Sequence, residues 1–478
     1  MDADVIVAGS GPAGLMLACE LALAGTDVLV IDKLAERSGQ SKALNLQPRT
    51  AEVLQLRGLL DEAEGRSLGR VSQGHFAKLV FDYGVLDTRF PFQVGIPQGR
   101  VEAVLEERLG ELGVTVRRGV ELVDLTQDER GVEVTVAGSD VPLRARYLVG
   151  CDGGRSVVRK RLGVGFPGVD ARNFGTVADV VLAGESADVP KVWNSMLNLG
   201  REREDGAFAH FIPLSEPGLY RLVYADPALE IEDQRAPVPA DEPARIVRRF
   251  YGDEIRVGEV RWASRYSDAS RQAEHYRVGR VLLAGDAAHI HLPAGGQGLN
   301  LSVQDSMNLG WKLALVVAGS QPESFLDTYH AERHPVGAGV IANTRAQAVL
   351  MSPDPEARAL RGIFDRLLHT PDGEREIAGM VSGLDIRYEL GDEHELVGSR
   401  LPDLDLPAGI FRDGHGVLLS TDDEILAEAR PWAGRVETVR MAELPGAEAI
   451  LVRPDGYVCW AAPGKPVTGA LAAWFGAA

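Results

Sequence analysis

The sequence predicts an α/β fold, and three observations predict it. An apolar strand, a glycine-rich turn, a helix and a second apolar strand follow one another at the amino terminus. The strand-then-glycine pattern returns twice, at residues 147–160 and again at 281–317. Between these returns lie alternating, aromatic-containing segments such as "GAFAHFIPL" and "GLYRLVYAD", which have the period of half-buried strands.

Composition bounds the rest. The 478 residues are enough for several domains, with 45% hydrophobic and 25% charged residues. The net charge of −19 disfavours nucleic acid or an anionic membrane as partner. Cys19, Cys151 and Cys459 are far apart and form no CxxC, so neither a disulfide framework nor a zinc site is expected, and a reducing, cytoplasmic setting is. "MDAD" is acidic where a secretory leader would be basic, and no apolar run reaches the roughly 18 residues of a membrane helix.

In the first unit, "DVIVAGSGPAGLMLACELALAGTDVLVIDK", Val5–Ala8 and Val28–Ile31 read as strands and Ala13–Leu23 as a helix ended near Gly25. Gly9, Gly11 and Gly14 stand at the join in a GxGxxG pattern, with Pro12 and Ala13 between the last two. Gly9 permits the tight turn, Gly11 lets a pyrophosphate approach the backbone, and Gly14 lets helix and strand pack closely. The uncapped helix terminus then faces the phosphates. Asp32, followed by Lys33, ends the second strand where a ribose hydroxyl would lie. An acid there suits FAD or NAD before NADP. This is a Rossmann-like unit.

The second unit, "YLVGCDGGRSVVRKRLG", sets Asp152 and paired glycines at a strand end, ahead of a basic helix. The third, "GRVLLAGDAAHIHLPAGGQGLNLSVQDSMNLGWKLA", predicts a strand, Gly285-Asp286, a glycine-rich loop and a helix from about Leu299 to Val317. Asp286, His289 and His291 could suggest a metal site. The two histidines alternate along an extended segment, and no further His/Cys cluster completes a shell, so no metal is expected.

These three motifs, in this order and at these separations, resemble the flavoprotein monooxygenases of the p-hydroxybenzoate hydroxylase type. "RARYLVGCDGGRSVVRK", "YRVGRVLLAGDAAHIHLPAGGQGLN" and "RPDGYVCW" are similar to bacterial aromatic polyketide hydroxylases, including angucycline-type enzymes, and to rifampicin monooxygenase. The resemblance implies FAD held by Gly9, Gly11, Pro12, Ala13, Gly14, Asp32, Lys33 and Lys42. Gln98 of "GIPQGRVE" would also reach it, Asp286 would bind the ribityl chain, and Asp152 would support that region. Pro293, Gly296, Gly298, Leu299 and Asn300 would lie against the isoalloxazine. Two departures stand out: Asp32 where the family commonly has Glu, and Lys42 where many relatives have Arg, which loses a bidentate fork.

The resemblance further implies a discontinuous Rossmann-like FAD domain with an inserted β-sheet substrate domain. Residues 1–172 would begin the FAD domain, with a cavity segment at about 72–96, and 276–390 would complete it. Residues 173–275 would form the sheet, and 396–478 a thioredoxin-like carboxy-terminal domain that lacks CxxC. The expected cavity residues are His75, Phe76, Phe81, His210, Phe211, Pro213 and Tyr224, with Pro293. The implied activity uses NAD(P)H, NADPH favoured, and O2. A flavin C4a-hydroperoxide would hydroxylate an aromatic polyketide, the cofactor carrying the chemistry and no catalytic side chain being required. An antibiotic-inactivating monooxygenase of the rifampicin or tetracycline type is the alternative. A Baeyer–Villiger enzyme and a flavoprotein that binds without turnover rank behind it. The WxWxIP motif of flavin halogenases is absent.

Overall fold

The apolar runs of the three glycine units become neighbouring strands of one sheet. In the computed structural model, which describes residues 1–184, 189–193, 200–231, 233, 235–464 and 466–478, the strand order is Arg277–Val278, Val281–Leu283, Leu143–Gly150, Ala3–Ala8, Val28–Asp32, Val116–Arg118. All neighbours pair in parallel except the first two. Helices cover the sheet, so the middles of its central strands are apolar; Val5, Ile6 and Val7 have no exposure. Helix Pro12–Leu23 packs on both Gln98–Glu111 and the long helix Gln297–Val317. Four parallel strands therefore end side by side, at Ala8, Asp32, Gly150 and Leu283. Ligands of such sheets sit beyond the carboxyl ends of the strands.

A second sheet is antiparallel, in the order Gly200–Glu202, Phe208–Pro213, Leu219–Ala225, Phe174–Leu182, Val257–Ser267. Side chains alternate between its faces. Ala209, Phe211, Leu222, Tyr224, Ala178 and Val180 face helix Glu242–Tyr251 and form a core with it. Ile212 faces the other way, into a small cluster with Leu44 and Trp193.

The hairpin Gln73–Phe76 and Leu79–Asp82 turns through only two residues, Ala77 and Lys78, with φ of 51° and 67°. Positive φ at both positions, as a type I′ turn requires, costs roughly 1–2 kcal/mol per non-glycine residue. One face of the hairpin is buried against helices Pro355–Leu368 and Pro371–Ser382.

Residues after about 394 form a four-stranded sheet ordered Val436–Arg440, Gly416–Ser420, Ala449–Val452, Val458–Ala462, with helices Asp423–Glu428 and Val467–Phe475. This region is bound to the rest by buried charge. Arg453, unexposed, donates to Glu332 at 2.9 and 2.8 Å and to Asp455, while Asn308 and Lys312 join the same cluster. Arg57 donates twice to Glu20 at 2.7 Å and also to the carbonyls of Phe411 and Pro454. No helix among the described residues is long and apolar enough to cross a membrane.

Candidate active site

The glycine turn after the first strand divides its labour as the motif requires. Gly9 has φ of +108°, and a Cβ there would meet the Cys151 carbonyl oxygen at 2.3 Å. A Cβ on Gly14 would lie 1.9 Å from the Gly9 carbonyl oxygen. Gly11 differs: it has ordinary backbone geometry, and nothing lies within 4 Å of its notional Cβ. The chain itself gives no reason for glycine there; a ligand does. The helix that follows has no side-chain cap and no acid in its first turn, so its free N–H groups and dipole remain available to an anion.

Asp32 ends the neighbouring strand. Its Oδ2 accepts from Ser10 N at 2.8 Å and Ser10 Oγ at 2.6 Å, and its Oδ1 from Leu34 N at 2.9 Å. Ser10 was not foreseen, although it lies inside the GxG triplet. Arg118 donates to Ser10 Oγ at 3.2 Å and pairs with Glu106, which Arg37 also binds. Gln98 opens its helix and is tied at both ends, accepting from Ala43 N and donating to Glu102. Burial pushes the Glu102 carboxyl above its usual range. Lys33 and Lys42 are exposed.

At the third strand end, Asp152 Oδ2 accepts from Val157 N at 2.6 Å and Val158 N at 3.2 Å, while its buried Oδ1 has no hydrogen-bond partner among the described residues. At the fourth, Gly285 has φ of +62° and is wedged between Ser302 and Ala13, at the starts of the two long helices. Asp286 beside it is exposed and makes no hydrogen bond among the described residues. The turn Ala294–Gly296 follows exposed Pro293, with Gly295 and Gly296 both left-handed at 74° and 65°. Gly296 starts helix Gln297–Val317, which again lacks a side-chain cap. Leu299 and Asn300 are buried, and Gly298 stands at the edge of His291. Asn300 is a tie within the chain, accepting from Gln47 N at 2.7 Å and donating to Gly296 O at 2.8 Å.

Both histidines of this stretch are engaged. His289 Nε2 lies 2.6 Å from Asp305 Oδ2, and Arg333 donates to Asp305 Oδ1 at 2.7 Å. Burial alone would push the Asp305 carboxyl up, yet Arg333 and His289 hold it below the usual carboxylate range. His291 Nδ1 meets the Leu292 carbonyl, and burial lowers its pKa.

The expected cavity residues fare unevenly. His75 points away from its neighbours Gly74 and Phe76, which face the hairpin core. Burial first, then His210 and Lys78, lower its pKa to about 4. His210 is buried with Nε2 3.7 Å from Glu202, beyond hydrogen-bond reach. Strand Gln73–Phe76, which carries His75, runs beside the Ala294–Gly296 turn. Phe211 and Tyr224 are corrected: strand parity turns both onto helix Glu242–Tyr251. Phe211 packs on Tyr220 and Tyr251 with no exposure, and the Tyr224 hydroxyl donates to Glu242 at 2.8 Å. Phe76 and Phe81 are corrected likewise. They are 3% and 2% exposed, and their rings meet Phe364 and Tyr83 respectively. Pro213 is buried at its strand end, opposite Tyr220.

An open glycine turn, two uncapped helix termini and an unpartnered carboxylate at adjacent strand ends fit a dinucleotide cofactor. Comparison with known proteins agrees. Residues 2–344 match the FAD binding domain family, and residues 394–478 the carboxy-terminal region of aromatic-ring hydroxylases. The chain is similar to 12-dehydrotetracycline 5-monooxygenase/anhydrotetracycline 6-monooxygenase of Streptomyces rimosus, 45% identical with 99% of each chain covered. It is similar also to rifampicin monooxygenase of Streptomyces venezuelae, 43% identical over 99% of each. Its fold is like that of CabE, an aromatic hydroxylase from angucycline biosynthesis, with a TM-score of 0.89 and 41% identity over the full length of both. The chain thus belongs to the FAD-binding aromatic-ring hydroxylases and is a flavoprotein monooxygenase.

Proposed function

We propose that this enzyme hydroxylates a multi-ring aromatic polyketide, with NADPH as reductant and O2 as oxidant. The observation that carries the reading is end-to-end similarity, at 45% and 41% identity, to hydroxylases of tetracycline and angucycline scaffolds. The bound FAD supplies the redox and oxygen-transfer chemistry. The protein binds, orients and keeps water out. In this reading Gly9, Gly11, Pro12, Ala13 and Gly14 hold the diphosphate, with Asp32, Lys33 and Lys42 around the adenosine half. Asp286 takes the ribityl hydroxyls, with Asp152 and Gln98 alongside. The turn from Pro293 through Gly296 and Gly298 to Asn300 flanks the ring system.

Residues 1–172 and 276–390 make up the cofactor domain, and the sheet of 173–275 covers the substrate. The carboxy-terminal sheet from 396, with its βαβ start and ββα finish, is a thioredoxin-like unit whose role is structural. His75, His210 and Pro293 remain as substrate neighbours. The test is product mass spectrometry with purified holoenzyme, NADPH and a panel of anhydrotetracycline, an angucyclinone and rifampicin. Gain of one oxygen atom by a tetracycline or angucyclinone is expected. Turnover of rifampicin alone would favour the inactivating role, and no oxygenated product from any of them would overturn the reading.

A further inference from the structure

The strained hairpin turn and the turn beneath the proposed cofactor site are 216 residues apart in sequence (294 − 78), yet two buried chains of polar groups join them. The first begins at the hairpin tip. Ala77 N donates to Gln347 Oε1 at 2.9 Å, Gln347 Nε2 to Asn343 Oδ1 at 2.7 Å, and Asn343 Nδ2 to Gln297 Oε1 at 3.2 Å. Gln297 Nε2 then donates to Ala294 O at 3.4 Å, inside the turn. The second begins at the hairpin's end. Tyr83 OH donates to Gln47 Oε1 at 2.5 Å, and Gln47 Nε2 donates to Gly295 O at 2.6 Å. Gln47, Tyr83, Gln297, Asn343 and Gln347 are all at most 5% exposed. In the first chain every amide both donates and accepts in one direction, an arrangement in which each bond polarises the next. Asn343 and Gln347 are one turn apart on helix Asp327–Leu350, so a single helical face carries the link.

We infer that Gln347 is a positioning residue which, with Tyr83 as the second tie, fixes the hairpin bearing His75 at a set distance from the turn Ala294–Gly296. This rests on that turn flanking the flavin, as proposed above. The hairpin packs beside the turn. A third polar route, from Gln73 O through Gln93 and Asn45 to Asn300 and Gly296 O, runs through less buried side chains, so the two buried chains are the ties best shielded from water. Gln347 also satisfies the backbone N–H of Ala77 in its unfavourable conformation. It therefore has two separable effects, one on the turn's stability and one on the cofactor's surroundings.

The experiment uses the full-length holoenzyme without substrate and reads three quantities: melting temperature, FAD dissociation constant and visible circular dichroism of bound FAD. Gln347→Leu should lower the melting temperature, weaken FAD about threefold to tenfold, and alter the flavin dichroism. Ala77→Gly added to it relieves the φ strain and should recover much of the melting temperature, leaving the dichroism altered. Full recovery of the dichroism in that double variant would overturn the positioning role, since Gln347 would then serve the hairpin turn alone. Tyr83→Phe, which removes one oxygen, tests the second chain if Gln347→Leu does not fold. Altered dichroism in Tyr83→Phe supports the inference, and wild-type dichroism sinks it. Wild-type protein that fails to bind FAD would overturn the cofactor reading instead, a result distinguishable from any of these.

Discussion

Gly11 is the residue at which chain and cofactor can be told apart. Its backbone is unstrained and its notional Cβ meets nothing, so Gly11→Val should fold with the melting temperature of the wild-type apoprotein and yet purify colourless. A yellow, fully loaded Gly11→Val protein would remove the pyrophosphate from this turn. Asp286 makes the complementary case. Exposed and without a hydrogen bond among the described residues, it contributes little to folding, and Asp286→Ala should weaken FAD about tenfold to a hundredfold by flavin titration. Phe211 shows how far sequence reading reaches at this scale. Aromatic character and strand type were legible, but which of two alternating faces meets the cavity was not, because both faces of this strand are buried where the alternation predicted a half-buried one. Being core, Phe211→Ala should cost about 3–5 kcal/mol by chemical denaturation, with unchanged substrate KM in the folded fraction. A selective KM effect without lost stability would return Phe211 to the cavity.

At the level of elements, the glycine units were readable because each strand, turn and helix is specified by neighbours in sequence. The elements that complete the site are not. The hairpin turn is Ala77-Lys78, which carries none of the Asn-Gly or Gly-Gly signals of a two-residue turn, and its support comes from Gln347, far along the chain. Asp305 is a similar case. It lies mid-helix in an ordinary-looking segment, yet links His289, Gly285 N and Arg333 behind the Asp286 loop. Asp305→Ala would leave Arg333 buried without its carboxylate, and the expected loss is about 3–5 kcal/mol together with weakened FAD binding. A variant as stable as wild type would show that water or rearrangement satisfies Arg333.

For the molecule as a whole, acid stability offers a check on His75. Its imidazole titrates near 6.5 when unfolded and is lowered to about 4 by burial when folded. Above pH 6.5 both states are neutral and its full contribution is present. As pH falls from 6.5 towards 4 the unfolded chain takes up the proton first, and stability is lost by on the order of 2 kcal/mol. His75→Gln should therefore flatten the dependence of unfolding free energy on pH across that window. An unchanged slope would place the ring in solvent. The carboxy-terminal region is the other whole-molecule feature. Its Arg453 and Asp455 complete a buried cluster with Glu332, Asn308 and Lys312, and Arg57 spans from Glu20 to the Phe411 carbonyl.

That cluster has a consequence for how the enzyme is made. A ribosome releases residues 3–8, the first strand of the central sheet, long before residues 281–283 that complete its parallel core, and residue 455 comes later still. Until then Lys312 and Glu332 have no complete set of counter-charges, and the helix that begins at the cofactor turn is not held along its length. Cofactor capture is thus expected to wait until the strands around Arg453 and Asp455 have emerged. Ribosome-bound chains stalled just after residue 390 should bind no FAD, whereas chains stalled on a linker beyond residue 478 should bind it as the free enzyme does.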